Sequence, residues 1–221
     1  MKTNYKDYFR DHYGSNFSQN EVFSYQAWFL VQYNFFSRKL RLRESIKNLP
    51  LFEIGSGTGG FYSLLSEEEK MNYKGIELDT EAVRFSNNFF QTDVFSDTDL
   101  KNFKCDQRFG RIFAFEVLEH LQNPIESIEK IYYLLESDGV FVGTSPYPYK
   151  KNIFADETHL HVLHPENWKR LFLNCGFTSV EIYPMSFFPF FWRLNSRLNV
   201  RIPFYIPFPG FISTTLIIAK K

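Results

Sequence analysis

Leu51-Phe-Glu-Ile-Gly-Ser-Gly-Thr-Gly-Gly60 is the stretch that decides the fold. Leu51 to Ile54 reads as a short, largely apolar strand bounded by glycine. Gly55, Gly57 and Gly59 then follow at alternate positions. A loop without Cβ atoms at these places can take left-handed backbone angles and let a ligand lie against bare peptide. A helix opening just beyond it would aim unpaired N–H groups at that ligand. The pattern points to an adenosine-type cofactor.

The glycines alone leave two cofactors open. Gly55, Gly57 and Gly60 also fit G-x-G-x-x-G, the dinucleotide fingerprint, which leads to a nicotinamide-dependent oxidoreductase. Three acids discriminate. Glu53 stands two residues before the first glycine, giving Glu-x-Gly-x-Gly-x-Gly. Tyr73-Lys-Gly-Ile-Glu77 reads as a second strand ending in a carboxylate, suited to accept from both ribose hydroxyls. Phe89-Phe-Gln-Thr-Asp93 reads as a third strand ending in an acid that can accept from an adenine amino group.

With these residues in place the chain resembles the class I S-adenosylmethionine-dependent methyltransferases. The matching segments are Glu53 to Gly59, Gly75-Ile-Glu-Leu-Asp79, Thr92-Asp-Val94, Phe115-Glu-Val-Leu-Glu-His120 and Gly139-Val-Phe-Val-Gly143. They occur in the family's order and spacing over roughly residues 50–183. The resemblance implies that Glu53, Gly55, Ser56, Gly57 and Gly59 admit the methionine moiety of the cofactor. Glu77 would hold the ribose, Leu78 would pack on adenine, and Asp93 and Val94 would read the adenine edge. Glu116 would line the methionine end.

Strands are expected near 51–54, 73–77, 89–94, 110–116, 139–144, 177–183 and 213–219, alternating with helices. One helix should run from Asn123-Pro124 to Ser137, with Gly139 as its stop. Another should open at His164-Pro165 and close before Gly176. Such alternation predicts an α/β fold with a parallel sheet covered on both faces and ligands at the strands' carboxyl ends. The resemblance implies seven strands, Rossmann-like and mostly parallel, the last one antiparallel.

Four segments are expected. Residues 1–49 form an N-terminal helical cap, 50–183 the cofactor-binding core, 184–211 an aromatic, basic insertion, and 212–221 the final strand. Within the cap, Ser18 to Glu21 reads as a capping box, and Trp28, Val31, Phe35 and Leu42 form an apolar stripe. The cap either covers the sheet edge or closes as a lid over cofactor and substrate.

Glu116-Val-Leu-Glu119-His120 falls where the fourth strand delivers residues to the cleft. It resembles the Glu-x-x-Glu-His of ubiquinone-biosynthesis O-methyltransferases and of plant-type small-RNA 2′-O-methyltransferases. The RNA enzymes add a later histidine. Here that segment is Asp156 to His161, and His159 fits the spacing from the next helix better than His161. The resemblance therefore nominates Glu116, Glu119, His120 and His159 as ligands of Mg2+, Mn2+ or Zn2+, which would lower a hydroxyl pKa and orient its oxygen. Two other readings stand beside it: the acid and histidine brace the turn by hydrogen bonds, or His120, His159 or His161 serves as general base, with Glu119 beside it and without an ion. Tyr147 and Tyr149, leaving the fifth strand, could stack on an acceptor or stiffen a proline-rich turn.

Composition bounds the partners. Formal net charge is zero, with 25 basic and 25 acidic residues, which argues against a nucleic-acid partner. Two cysteines are too few for a disulfide scaffold, so a reducing, cytoplasmic setting is expected. The polar start lacks a signal-peptide core, and no apolar run reaches the ~18–20 residues of a membrane span. From Ile182 to Lys221 there is no acid, but there are Arg193, Arg197, Arg201, Lys220 and Lys221. If Pro189–Asn199 is helical, Arg193 and Arg197 share a face. The segment 187–211 is then either a peripheral membrane surface or a cap packed on protein. The expected function is methyl transfer from S-adenosylmethionine to a hydroxyl of a small-molecule, sugar or lipid-linked acceptor. A non-catalytic cofactor-binding partner subunit is the alternative.

Overall fold

The computed structural model describes residues 29–30, 32–33, 49–150, 153, 156–187, 201–206 and 212–221. The capping box at Ser18, the stripe of Trp28, Val31, Phe35 and Leu42, and the Pro189–Asn199 helix lie outside the described residues. Two compact units divide the chain, Met1–Lys104 and Cys105–Lys221.

The first unit holds three parallel strands in the order β3-β2-β1: β1 Leu51–Ile54, β2 Tyr73–Glu77 and β3 Phe95–Asp97. All four residues of β1 are buried, as expected for a parallel strand covered on both faces. A short helix, α1 Glu67–Lys70, is closed by a capping box between Ser66 and Glu69. Helix α2 Thr80–Phe90 starts on Asp79, whose carboxylate accepts from the amides of Glu81 and Ala82 at 2.9 and 3.0 Å. It buries Ala82, Val83 and Ser86 and ends at Gln91 in the left-handed conformation.

That helix corrects the expected strand at 89–94. Phe89 and Phe90 are its last turn, and β3 begins only at Phe95. Phe85 and Phe89 stack one turn apart at 5.6 Å, a contact that helical spacing provides. Asn87 then pins the returning chain, donating to the Phe95 carbonyl at 2.9 Å and accepting from the Phe95 amide at 3.2 Å.

The second unit has five strands in the order β4-β5-β8-β6-β7. They are β4 Phe109–Phe115, β5 Leu135–Pro146, β6 Ser179–Phe187, β7 Arg201–Ile202 and β8 Ile212–Lys220. β4 and β5 are parallel; β8 lies antiparallel between β5 and β6. The final strand is thus antiparallel, as the family resemblance implied. The added strand is β7, two residues of the aromatic insertion paired with β6.

Helix α3 Pro124–Leu134 is capped by Asn123 with proline in its first turn. It stops before the expected Ser137, because Leu135 already has extended angles and joins β5. Gly139 is not the helix stop; Asp138 takes the left-handed turn at φ 64°. A Cβ on Gly139 would sit 2.9 Å from the Glu136 carbonyl, so close backbone approach explains that glycine. Helix α4 Pro165–Asn174 opens on His164, and Gly176 follows it at φ 101°. Phenylalanine dominates the core here. Phe109, Phe113, Phe141 and Phe172 are fully buried with Trp168, and Phe141 stacks on Phe172 at 5.0 Å. Each such ring contributes about 1.5–3 kcal/mol of burial.

Candidate functional site

In the first unit the glycine loop leaves β1 and is tied at once to β2. The amides of Gly55 and Ser56 both donate to the Ile76 carbonyl, at 2.8 and 3.0 Å. Gly57 has φ 51°, and its amide donates to Glu77 Oε2 at 2.9 Å. Glu77 Oε1 accepts from the amides of Leu78 and Asp79 at 2.7 and 3.1 Å. Burial pushes this carboxyl above its ordinary value, while the three amides pull it down. Glu77 therefore clamps the loop onto β2, and Oε2 keeps acceptor capacity for a ribose hydroxyl. Ser86 on α2 adds a second clamp, donating to the Gly57 carbonyl at 3.2 Å.

Glu53 is fully buried. The Tyr73 hydroxyl donates to its Oε2, and Oε1 has no hydrogen-bond partner. Burial raises its pKa well above the usual carboxylate range, against the lowering effect of the Tyr73 bond. Ser56 Oγ and Thr58 Oγ1 are also buried without a partner. Gly59 has a different reason to be glycine. Its φ is 78°, and a Cβ would stand 2.5 Å from the Phe90 ring. Leu78 is half-buried beyond β2. Asp93 is exposed, and Val94 half-buried, in the turn ahead of β3 rather than at its end. The acid that closes β3 is Asp97, in register with Glu77 and accepting from Thr80 Oγ1 at 2.5 Å. The sequence held the signal, an acid ending a strand as Glu77 does, but the misplaced strand hid it.

In the second unit β4 ends in a strained turn. Glu116 has φ 53°, uncommon for a residue with a side chain. Its amide is held by the Thr144 carbonyl at 3.1 Å, and its Oε1 accepts from Thr214 Oγ1 on β8 at 2.7 Å. Burial raises its pKa. A 3-10 turn, Leu118–His120, then turns Glu119 inward. Glu119 is fully buried, and neither carboxylate oxygen has a hydrogen-bond partner. Burial, and next the charge of Glu116, push its pKa well above the usual range.

His120 and His159 are brought together, with ring centroids 4.9 Å apart. The amides of Leu160 and His161 donate to the Glu119 carbonyl at 2.8 and 2.9 Å, which fixes the later segment on the turn. His120 Nδ1 lies 3.1 Å from the Thr158 carbonyl and 2.8 Å from Thr158 Oγ1. Thr158 spends its one hydroxyl proton on Asp156 Oδ1 at 2.6 Å. We therefore assign the His120 proton to Nδ1, leaving Nε2 as an acceptor, 3.8 Å from Glu119 Oε1. Glu119, His120 and His159 each offer a ligand atom, all within 4.8 Å of one another. Neither Glu116 nor His161 belongs to that group.

One aromatic wall was half legible. Tyr147 packs on Tyr149 at 4.6 Å and on Tyr205 at 3.7 Å between centroids. Tyr205 had no local signal. It arrives from the insertion, and its hydroxyl meets Thr215 Oγ1 at 3.2 Å. Burial pushes its pKa up to about 12. Most of 187–211, including Arg193 and Arg197, lies outside the described residues. Among the described residues no helix is long and apolar enough to cross a membrane.

A family model described as "Methyltransferase domain" matches residues 30–182. This chain belongs to the class I S-adenosylmethionine-dependent methyltransferase family. Solved structures bear out the fold. A SAM-dependent methyltransferase from Archaeoglobus fulgidus is similar at 23% identity and TM-score 0.60, over 88% of this chain and 99% of that one. The N-methyltransferase NodS from Bradyrhizobium japonicum aligns at 17% identity and TM-score 0.58, over 84% and 93%. Magnesium protoporphyrin IX methyltransferase from Synechocystis PCC 6803, solved with bound SAM, aligns at 13% identity and TM-score 0.61, over 98% and 95%. No curated protein matches the chain by sequence.

The methyltransferase's first unit fits the family cofactor on physical grounds. Glu53 Oε1, Ser56 Oγ and Thr58 Oγ1 are orphaned polar atoms beside a loop of left-handed glycines. The donor set of its second unit, a carboxylate and two imidazoles, suits Mn2+ or Zn2+ better than Mg2+, which prefers oxygen.

Proposed function

We propose that this methyltransferase moves the cofactor's methyl group to a hydroxyl oxygen of a small-molecule, sugar or lipid-linked acceptor. The acceptor oxygen attacks the methyl carbon, the carbon–sulfur bond breaks, and sulfur keeps the electron pair as S-adenosylhomocysteine forms. The hydroxyl proton leaves to water, because Nε2 is the His120 atom that the ion described below would take. The Nδ1–H bond to Thr158 holds that ring in the accepting tautomer. Glu53, Ser56, the Gly55–Gly59 loop and Glu77 are assigned to the cofactor, with Leu78 and Val94 beside the adenine. Its amino group is assigned to Asp93, with Asp97 as rival. Tyr147, Tyr149 and Tyr205 support a stacking wall for a ring or sugar face.

The observation that carries the reading is the cluster of Glu119, His120 and His159, ligand atoms within 4.8 Å. Glu119 offers it a buried carboxylate with both oxygens unpartnered. A divalent ion held there would lower the pKa of the acceptor hydroxyl and orient its oxygen. The test is turnover to S-adenosylhomocysteine with a panel of phenols, sugars and polyprenyl-linked hydroxyls. It is run with Mn2+ or Zn2+ and again after chelation, for wild type and Glu119→Gln. The reading expects metal-dependent turnover that Glu119→Gln abolishes while cofactor affinity holds. Full activity in the chelated enzyme and in Glu119→Gln would reject the ion. Turnover with amines alone would reject oxygen as the acceptor.

A further inference from the structure

Asp156 stands beside the histidines of the second unit, and its two oxygens serve different rings. Oδ1 accepts from the Thr158 amide at 2.8 Å and from Thr158 Oγ1 at 2.6 Å. Thr158 is buried, and its carbonyl and hydroxyl oxygens lie 3.1 and 2.8 Å from His120 Nδ1. Oδ2 lies 4.0 Å from His159 Nε2. Those two side chains are only 11% and 12% exposed, so solvent ions screen the charge weakly. The segment that carries Asp156 is fixed on the Leu118–His120 turn, because the Glu119 carbonyl accepts from the amides of Leu160 and His161.

A neutral imidazole has two tautomers, and the partner of one nitrogen decides what the other can do. At His120 that partner is Thr158. A threonine hydroxyl has one proton, and here Asp156 Oδ1 takes it, so Oγ1 can only accept from His120 Nδ1–H. Without Asp156 the same proton can turn to Nδ1, which favours the opposite tautomer. At His159 the separation exceeds a hydrogen bond, so Oδ2 acts by charge and favours a proton on the facing Nε2. We infer that Asp156 is a positioning residue that sets the tautomers of both histidines, through Thr158 at His120 and by its charge at His159. The inference rests on reading Glu119, His120 and His159 as the acceptor-side cluster. Carboxylates that orient ligating histidines in this way typically change metal affinity about ten- to a hundred-fold when removed.

Metal-free protein labelled with 15N at histidine is compared as wild type, Asp156→Asn and Asp156→Ala by long-range 1H–15N NMR. The spectra are taken about two pH units above the ordinary histidine pKa, where imidazole is neutral, and assigned by replacing each histidine singly. Mn2+ and Zn2+ affinities are measured by calorimetry, and melting is followed without metal. Wild type should show His120 as Nδ1–H. Asp156→Asn keeps an oxygen for Thr158, so His120 should stay Nδ1–H while the His159 tautomer shifts. Asp156→Ala releases the Thr158 hydroxyl, so His120 should shift toward Nε2–H. Metal affinity should fall about ten- to a hundred-fold in Asp156→Ala and by less in Asp156→Asn. His120 as Nε2–H in wild type, or an unmoved His120 in Asp156→Ala, would overturn the inference. So would lower melting temperatures in both variants with neither tautomer moved, which is the signature of a purely structural turn. Should Asp156→Ala not fold, Asp156→Asn decides alone, and an unmoved His159 tautomer there overturns the inference. If wild type binds neither ion, the metal reading falls by itself, and the tautomers still decide the role of Asp156.

Discussion

Gly59→Ala tests whether this glycine is set by packing. At φ 78° any residue with a Cβ pays for a left-handed backbone, about 1–2 kcal/mol. The new methyl would also lie 2.5 Å from Phe90 Cε2 and 3.2 Å from Phe95 Cζ. Phe90 cannot swing away cheaply, because its ring is wedged against Tyr62 at 5.0 Å and Phe89 at 4.9 Å. Overpacking of this kind costs about 1–3 kcal/mol. Together these give about 2–5 kcal/mol, or a fall of about 4–20 °C in melting temperature for a protein of this size. Differential scanning calorimetry without ligand reads it directly. Phe90→Leu in the same chain should recover the overpacking part and leave the backbone part, a coupling that a double-mutant cycle isolates. A Gly59→Ala protein melting within about 1 °C of wild type would refute the reasoning, and additivity with Phe90→Leu would refute the clash.

Glu53→Gln should make the ligand-free protein more stable, increasingly so as pH rises. Burial holds the Glu53 pKa well above its ordinary value, so the folded state binds that proton more tightly than the unfolded chain does. The associated stability is complete below the unfolded glutamate value of about 4.3 and is lost as pH rises through the raised value. Glutamine still accepts from Tyr73, so the melting-temperature gap between variant and wild type should widen from acid to alkaline pH; a constant gap would count against this. Ser213→Ala should loosen the insertion. Ser213 Oγ accepts from the Ile206 amide at 3.2 Å, donates to its carbonyl at 3.1 Å and meets Ser186 Oγ at 2.8 Å. Its loss should cost about 1–3 kcal/mol in urea unfolding, with faster hydrogen exchange at Ile206; unchanged exchange there would rule out the anchoring role.

What the sequence made legible was local. The run from Leu51 to Gly60 and the strand ending at Glu77 were readable because each is a short strand-like run closed by glycine or by an acid. Phe89-Phe90 failed for the same reason that others succeeded: a short aromatic pair satisfies helix and strand periodicity alike. Only the partners decide, and here they are Phe85, one turn back, and Asn87, which seats Phe95. The Glu119–His159 grouping was visible through family spacing, and the backbone bonds from Leu160 and His161 to Glu119 give the physical cause. Tyr205 was beyond reach, because its position depends on strand pairing and on serines far away in the chain.

Gln32 marks the deeper limit: it has no exposed surface, and neither its amide nitrogen nor its amide oxygen has a hydrogen-bond partner. On a helix, glutamine is an ordinary surface residue with good helical propensity, and nothing in its sequence neighbours Val31 and Tyr33 distinguishes an amide that faces water from one that does not. Its meaning comes from burial and from missing partners, both of which are properties of the fold. The same holds for the acids. Sequence located Glu53, Glu77, Glu116 and Glu119 at strand ends and turns, but it did not reveal that burial raises the pKa of all four. A ligand with matching positive charge or hydrogen-bond donors would lower those pKa values on binding. Binding should therefore release protons, and the cofactor, which carries a sulfonium and an ammonium, brings both kinds of partner. Proton release measured by calorimetry in buffers of different ionisation enthalpy would carry the first-unit share of that prediction; cofactor binding without any proton release would contradict it.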